Sequence, residues 1–313
     1  MKFVTFMKEN RPALGVKVEN GVIDVAVALT DVQKVNVPTE VMDLIDAGEE
    51  SLTLLKSYIT NLDVSSDSPF LLDEKELDFG PCVTRPSKII CVGLNYRKHA
   101  EETNSPYPKT PILFNKFNNT LTGHLRDIEV PNVTEQLDYE VELGIVIGKT
   151  AKNISKEEAL DYVFGYCTAN DLSARDLQFT TQQWLLGKTC DDFSPLGPYL
   201  VTADEVGNPN QLSLKTTVNG EIRQNSNTSD MIFHCDEIVS YISQHMTLSP
   251  GDVILTGTPE GVVLGLPEDQ RVFLQPGDQV TVEIEKLGEL TNTFVAEGKS
   301  YRNKSDFRVE VSL

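Results

Sequence analysis

The sequence contains no apolar run that approaches the roughly 20 residues needed to span a bilayer. Its N-terminus also lacks the long apolar segment of a secretory signal. Both absences predict a cytoplasmic protein that does not act at a membrane. The length of 313 residues suits one large domain or two smaller ones, and 40% hydrophobic content is that of a chain with a true core.

Cysteine is also scarce in this chain. There are five cysteines, an odd number, and no two of them show a CxxC spacing. A disulfide framework or a zinc–thiolate site is therefore not expected. The thiols are expected to serve as small buried apolar side chains.

Positive charge is under-represented, with 27 lysines and arginines against 47 acidic residues and a net charge of −20. Such a surface repels nucleic acid and anionic lipid, so neither is an expected partner. It also repels an anionic substrate at long range. An acidic substrate would have to be held locally, by a metal or by a few basic side chains.

Strand-like patterns dominate and few long helices are indicated, which favours a β-rich α+β fold over a βαβ array. Residues 1–80 are expected to form a small N-terminal α/β domain, joined through Pro81–Pro86 to a main domain of residues 81–313. The predicted strands are Lys2–Met7, Leu14–Val18, Lys88–Val92, Ile112–Asn115, Tyr139–Ile147, Phe164–Thr168, Tyr199–Thr202, Leu212–Val218, Val253–Thr256 and Val280–Ile284. The predicted helices are Pro38–Ala47, Ser51–Thr60, Asn95–Thr103, Lys156–Val163 and Asp236–Gln244.

Two glutamates stand two residues apart at the head of the apolar strand Tyr139–Ile147. Because strand side chains alternate between faces, Asp138, Glu140 and Glu142 are predicted to share one face. Carboxylates so placed repel one another unless a cation or a proton lies between them. The alternative is an ordinary solvated strand edge.

A third carboxylate, Asp171, follows the predicted strand Phe164–Thr168. An aspartate there commonly caps a helix. Alternatively it is a further oxygen ligand, which with Glu140 and Glu142 would complete a three-carboxylate site. Hard cations such as Mg²⁺ and Mn²⁺ prefer such ligands, and three carboxylates leave coordination positions open for a substrate.

Cationic and hydroxyl side chains near these acids could hold an anionic substrate. Arg175 and Gln178 are spaced to share one face of a short helix, and Lys188 follows soon after. Taken alone, each cation could be a surface charge. Thr258 lies in a Thr-Gly-Thr-Pro turn where hydroxyls and amides could bind a carboxylate.

His99 and Glu102 have the i, i+3 spacing of neighbours on one helix face. A glutamate that orients a histidine makes a competent general base. An exposed helix pair is the alternative. His124 is a weaker candidate that could approach from a loop.

The ordered set of motifs resembles the fumarylacetoacetate hydrolase family over about residues 86–285. The motifs that carry the resemblance are Val92–Tyr96 with His99 and Glu102, Asp138–Gly148, Asn170–Gln178, Lys188, Pro195–Pro198, Val218–Gly220, Ser229–Phe233, Pro250–Asp252 and Thr256–Pro259. Two segments depart from the family pattern. Glu260–Val263 replaces a Gly-Val-Gly continuation, and Val263 cannot easily take a positive φ; Thr189–Asp191 replaces Ser-Phe-Asp after the lysine.

The resemblance implies a β-roll fold in a homodimer, with Mg²⁺ or Mn²⁺ held by Glu140, Glu142 and Asp171. It implies that the His99–Glu102 segment is a lid that orders on substrate binding and that Lys188 lines the pocket. It also implies that Arg175, Gln178 and Thr258 hold the substrate.

The expected function is metal-dependent C–C cleavage in a small anionic 2-oxo acid, of the acylpyruvate hydrolase or oxaloacetate decarboxylase type. The alternatives are an isomerase or tautomerase of a 2-hydroxy-dienedioate in aromatic catabolism, and a metal-stabilised non-catalytic scaffold. The general base formed by His99 and Glu102, together with Lys188, favours an enzyme, because a scaffold would need neither.

Overall fold

The computed structural model describes residues 1–30 and 37–299, and the architecture below is that of these residues. Residues 300–313, the end of the predicted main domain, lie outside the described part. The strands are β1 (Lys2–Lys8), β2 (Arg11–Val18), β3 (Gly21–Asp24), β4 (Leu71–Leu72), β5 (Ile89–Gly93), β6 (Ile112–Lys116), β7 (Leu121–Thr122), β8 (Asp127–Val130), β9 (Leu137–Asp138), β10 (Val141–Ile147), β11 (Val163–Asn170), β12 (Ser173–Ala174), β13 (Ser194–Thr202), β14 (Ser213–Val218), β15 (Glu221–Asn227), β16 (Val253–Leu255), β17 (Gln279–Ile284) and β18 (Gly288–Ala296).

The helices of the described residues are mostly short. They are α1 (Val25–Ala28), α2 (Val41–Asn61), α3 (Arg97–Glu102), α4 (Arg175–Gln178), α5 (Leu185–Lys188), α6 (Ala203–Val206) and α7 (Cys235–His245). Short 3₁₀ turns lie at Glu74–Glu76, Asn118–Thr120, Ala159–Tyr162, Pro209–Gln211, Thr228–Asp230, Val263–Gly265 and Glu268–Gln270. Of the helices in the described part of the chain, none has the length and apolar character needed to cross a membrane.

Three sheets organise these strands, and the β-rich α+β class is confirmed. The largest runs in the order β4-β3-β2-β1-β13-β11-β10-β16-β5-β6, with β7 paired to β13. A five-stranded sheet, β15-β14-β17-β18-β8, packs against it, and Ile145 and Val282 belong to the same core between the two. The third sheet pairs β9 with β12 and lies beside the site described below.

Strand β10 is the centre of the large sheet. It pairs antiparallel with β11 on one side and β16 on the other, and all seven of its residues are buried. Ile145 faces the core shared with the five-stranded sheet, while Val146 faces the core shared with α2. The alternative of a solvated edge is therefore wrong, because both faces of this strand are covered.

Several predicted boundaries shift for identifiable reasons. The predicted helices on either side of Gly48 are present, but they run on as α2 with a break at that glycine, whose φ is 74°. The predicted helix Lys156–Val163 is wrong: only a 3₁₀ turn, Ala159–Tyr162, forms, because Val163 already joins β11. At the start of this turn the Glu158 N–H donates to Ser155 Oγ at 3.3 Å, and the Ser155 hydroxyl donates to Glu158 Oε2 at 2.9 Å.

The N-terminal strands continue the large sheet. Strand β1 pairs antiparallel with β13, placing Phe3 opposite Leu200. The division into domains 1–80 and 81–313 stays a prediction, but the two parts share backbone hydrogen bonds across this strand pair.

Candidate active site and metal centre

Three buried carboxylates meet where β10 and β11 adjoin. One oxygen from each of Glu140, Glu142 and Asp171 lies within 4.8 Å of the others. Glu140 directly precedes β10, Glu142 lies within it, and Asp171 directly follows β11. Since β10 and β11 are antiparallel partners, the start of one and the end of the other lie side by side, which brings the predicted ligands together.

Backbone hydrogen bonds fix the three carboxylates relative to one another. The Asp171 N–H donates to the Glu140 carbonyl at 2.9 Å, and the Glu140 N–H donates to Oδ1 of Asn170 at 2.9 Å. The Gly257 N–H donates to Oε2 of Glu142 at 2.8 Å. Gly257 has a φ of 96°, and a Cβ there would lie 2.7 Å from the Cβ of Asn95, so the glycine permits this close approach.

Lys188 and Arg175 surround the cluster with positive charge. Lys188 Nζ lies 2.8 Å from Glu140 Oε2 and 2.9 Å from Asp171 Oδ2, and Arg175 Nη2 lies 2.7 Å from Glu140 Oε1. Burial alone would raise the pKa of Glu140, but these two cations lower it to about 2. The pKa of Lys188 is raised, because Asp171 and Glu140 outweigh the effect of burial. Glu140 is therefore ionised at neutral pH.

Lys116 is a further member of the site, one that sequence reasoning missed. Its ammonium group contacts Asp171 and donates to the carbonyl oxygen of Phe193 at 2.7 Å. The lysine ends β6, which has no local motif that would mark a buried charge. The available signal was its position directly after the predicted strand Ile112–Asn115.

Asp138, which was predicted to share a face with Glu140 and Glu142, lies outside their cluster. The chain is divided there between β9 and β10, and Asp138 pairs with Ser173 in the small sheet. It contacts the same arginine as Glu140, because Arg175 Nη2 lies 2.8 Å from Asp138 Oδ2. Its carboxylate accepts hydrogen bonds from Arg175 Nε at 2.9 Å and from the Val263 and Leu264 N–H groups at 3.0 Å each. Asp138 thus positions Arg175 and the loop that follows Gly261, and it is no member of the ligand cluster.

The environment of the Glu142 carboxyl group indicates whether the cluster of Glu140, Glu142 and Asp171 suits a divalent cation. Burial raises its pKa well above the usual value, and the charges of Asp171 and Glu140 raise it further. A cation among the three oxygens would offset that repulsion. The donor set is entirely carboxylate, which is the ligand type that Mg²⁺ and Mn²⁺ prefer. The residues therefore fit either metal and do not distinguish between them.

His99 and Glu102 lie together on α3 as predicted. His99 Nδ1 is 2.7 Å from Glu102 Oε1, and Glu102 Oε2 accepts a hydrogen bond from the Gly261 N–H at 2.9 Å. Both side chains are mostly shielded, which excludes the alternative of an exposed helix pair. Glu102 thus orients the imidazole and leaves Nε2 as the ring atom for chemistry. A lid movement of this helix stays a prediction.

One cavity of 660 Å³ joins these groups. Its lining includes His99, Glu102, Glu140, Glu142, Arg175, Gln178, Lys188 and Thr258. Gln178 is buried, and its Oε1 accepts from Arg175 Nη1 at 2.9 Å, so its amide nitrogen is left as the donor. The Thr258 hydroxyl accepts from Gln224 at 2.9 Å and keeps its own proton to donate.

The departure from the family pattern after Thr258 is absorbed by the loop itself. Gly261, not Val263, takes the positive φ, at 98°. Val263 begins a 3₁₀ turn, and its N–H donates to Asp138, so no branched residue of this loop takes a positive φ. His124 does not approach the site: its Nδ1 accepts from the Thr291 N–H at 3.0 Å and its ring packs edge-on against Phe79.

The cavity contains a carboxylate cluster that suits a divalent cation and, facing it, a histidine–glutamate pair. This arrangement is suited to metal-assisted acid–base chemistry. Comparison with known proteins agrees. The family profile described as fumarylacetoacetate (FAA) hydrolase C-terminal matches residues 88–295. The chain belongs to the fumarylacetoacetate hydrolase family, and the predicted resemblance is confirmed.

Relatives and solved structures extend the likeness beyond the matched segment. A mitochondrial oxaloacetate tautomerase of Xenopus laevis is 40% identical over 301 residues, covering 94% of this chain and 90% of its own. A fumarylacetoacetate hydrolase structure from Exiguobacterium antarcticum has a TM-score of 0.78 at 36% identity, covering 95% of this chain and 99% of its own. A maleylpyruvate hydrolase from a Sphingobium species, in complex with manganese(II) and pyruvate, has a TM-score of 0.75 at 28% identity, covering 95% and 99%.

These likenesses support an enzyme and weaken the scaffold alternative. They do not test the cytoplasmic location, and the Xenopus relative is mitochondrial. The homodimer also stays a prediction.

Proposed function

We propose that the chain is a metal-dependent enzyme that enolises a small 2-oxo acid, with keto–enol tautomerisation of oxaloacetate as its reaction. The observation that carries the proposal is the single cavity lined by Glu140, Glu142, His99 and Glu102. The name of the Xenopus relative favours the tautomerase alternative over the C–C cleavage that the sequence put first. The manganese and pyruvate of the Sphingobium structure suit the same oxo-acid chemistry.

Glu140, Glu142 and Asp171 would hold Mg²⁺ or Mn²⁺, and the bound ion would supply Lewis-acid polarisation of the 2-oxo group. The rest of the chemistry belongs to the side chains. Arg175 and Lys188 hold the ligand carboxylates in place and bring positive charge to the cavity wall. The Gln178 amide and the Thr258 hydroxyl are suited to bind the substrate carboxylate adjoining the oxo group.

The His99–Glu102 pair moves the proton. His99 Nε2 accepts the proton from the carbon next to the oxo group, and the electron pair of that C–H bond forms the C=C bond of the enol. His99 Nε2 then gives this proton to the oxo oxygen, so the imidazole returns to its neutral form and substrate and product are isomers. Glu102 holds the imidazole through Nδ1 and stabilises the positive charge that forms on it.

A second candidate is hydrolysis of an acylpyruvate, which is favoured by the apolar part of the cavity lining. Apolar side chains, including Ile112, Phe114, Trp184 and Leu264, form part of its lining. They offer contacts to a longer acyl chain that oxaloacetate cannot use. Here His99 Nε2 would take a proton from a water that attacks the distal carbonyl.

Turnover of oxaloacetate, acetylpyruvate and fumarylpyruvate, each with Mn²⁺ and with chelator, tests both candidates. We expect Mn²⁺-dependent conversion of the oxaloacetate enol into its keto form, without pyruvate release. Faster cleavage of an acylpyruvate would favour the second candidate. Background rates for all three compounds with Mn²⁺ would refute both.

A further inference from the structure

Four cationic or basic side chains line the cavity, and three of them are matched to acids. His99 is paired with Glu102, while Arg175 and Lys188 are paired with the carboxylates around the metal site. The fourth is Arg271, which forms no ion pair with any acid in residues 1–30 and 37–299. An unmatched guanidinium in the wall of a cavity is unusual in a chain of net charge −20, where acids are plentiful.

Arg271 is held in place by its own loop. Its Nε donates to the Leu266 carbonyl at 2.9 Å, and its side chain is partly buried after the 3₁₀ turn Glu268–Gln270. One edge of the guanidinium is therefore fixed. The terminal nitrogens remain as a planar fork, the geometry that binds a carboxylate through two parallel hydrogen bonds.

The loop that carries Arg271 begins beside the proton-transfer pair, and Arg271 itself lines the same cavity. Val263 and Leu264 are anchored on Asp138, and the next residue, Gly265, lies against Glu102. A Cβ on Gly265 would lie 2.4 Å from the carboxyl carbon of Glu102. Arg175 and Lys188 belong instead to the carboxylate cluster, so the cavity carries two separate sources of positive charge.

We propose that Arg271 binds a second, distal acid group, so that the preferred substrates are 2-oxo acids carrying another carboxylate. The inference rests on the proposed function and deepens it by naming the residue that selects the second carboxylate of the substrate. An acidic protein surface repels a dianion, and a fixed cation within the cavity offsets that repulsion where the substrate binds. A 2-oxo acid with a neutral far end makes no use of Arg271.

Trp184 provides a direct measure of binding. It is the single tryptophan of the chain, it lines the cavity, and its ring packs edge-on against Phe114 at 5.4 Å. Its fluorescence can therefore report occupancy without turnover. The variants are Arg271→Met and Arg271→Lys, with Arg85→Met as the control, because Arg85 is exposed and is absent from the cavity lining.

With Mn²⁺ present, we expect Arg271→Met to raise KM for oxaloacetate by about 10- to 100-fold, the size of effect of a lost charge-assisted hydrogen-bond pair. KM for the 4-methyl ester of oxaloacetate and the Kd for pyruvate, read from Trp184, should stay within about twofold. Arg271→Lys should recover part of the loss because it keeps the charge and loses the fork. Arg85→Met should behave as the wild type.

Equal losses for oxaloacetate, its ester and pyruvate would overturn the assignment, since a displaced loop harms all three. An unchanged KM for oxaloacetate would overturn it as well. Failure of the proposed function has a different appearance: the wild type itself would neither bind pyruvate nor convert oxaloacetate with Mn²⁺. That result would remove the inference together with its foundation.

Discussion

Lys116 and Asp171 form an ion pair that is completely shielded from solvent, behind the carboxylate cluster. Removing one partner of a buried pair costs about 3–5 kcal/mol when nothing else compensates the remaining charge. Here Lys188 Nζ still lies 2.9 Å from Asp171 Oδ2, so the cost should be at the lower end, about 3 kcal/mol. We expect Lys116→Met to lower the free energy of unfolding by that amount, measured with urea in the presence of chelator. Lys56→Met is the control, because the Lys56–Asp204 pair is solvent-exposed and should contribute less than about 1 kcal/mol. Similar small losses in both variants would contradict this account.

Glu142→Gln separates metal binding from folding. Glutamine has the shape of the protonated acid that the raised pKa of Glu142 favours, so the fold should tolerate it. In chelator, we expect an unfolding free energy within about 1 kcal/mol of the wild type. At 100 times the wild-type Kd for Mn²⁺, the wild type should gain about 2.7 kcal/mol and the variant almost nothing.

The control for this prediction is Glu19→Gln, in the exposed turn between β2 and β3. It should gain the full metal stabilisation. Equal stabilisation of all three proteins by Mn²⁺ would remove Glu142 from the ligand set.

The His99–Glu102 pair is predicted to act on the proton and not on the metal. Glu102→Gln should reduce the metal-dependent rate of enolisation by about 10²- to 10⁴-fold, because a glutamine cannot stabilise the imidazolium. Calorimetric Mn²⁺ affinity should not change. The measurement is hydrogen–deuterium exchange at the carbon next to the oxo group, followed by NMR, with His245→Gln at an exposed helix end as the control.

The same exchange assay separates the two candidate functions. If His99 mainly activates water, His99→Ala should slow hydrolysis of an acylpyruvate far more than deuterium exchange. If His99 takes the carbon-bound proton, exchange should fall with turnover. Equal loss of both activities would count against a water-activating role.

Gly257 offers a matched pair of glycine substitutions. Gly257 and Gly277 both have positive φ, at 96° and 104°, but only Gly257 has neighbours within 4 Å of an added Cβ. Gly277→Ala should therefore cost only the backbone strain of about 1–2 kcal/mol. Gly257→Ala should cost more, and it should also weaken Mn²⁺ binding because its N–H orients Glu142. Equal urea midpoints for the two variants would show that the crowding at Gly257 is unimportant.

The convergence of the three carboxylates could be predicted because each of them is marked by its local sequence. Glu140 and Glu142 are two residues apart, and Asp171 follows a recognisable apolar strand, so each carried its own signal. The contact between His99 and Glu102 could be predicted for the same reason, since the two residues are neighbours on one short helix. The role of Asp138 in holding Arg175 could not be predicted from the local sequence. Asp138 belongs to β9, and β9 pairs with β12, whose Ser173 comes 35 positions later in the chain.

Lys116 and Arg271 show why the rest could not be predicted. Lys116 lies 55 residues from Asp171 in sequence. The two residues come together only because β6, β5, β16, β10 and β11 pair side by side, in that order, in one sheet. Arg271 follows the polar turn Glu268–Gln270, and its local sequence is typical of a surface cation. That it forms no ion pair with an acid of residues 1–30 and 37–299 is apparent only once its neighbours in space are known.

The pairing of β1 with β13 has a consequence for truncated forms of this protein. Removing residues 1–80 would bare the backbone amides and carbonyls of Tyr199–Val201 along an open strand edge. Such an edge recruits other chains, and a trimmed protein should therefore sediment as aggregates at micromolar concentration. The smallest well-behaved unit of this enzyme is accordingly larger than the segment that carries its chemistry.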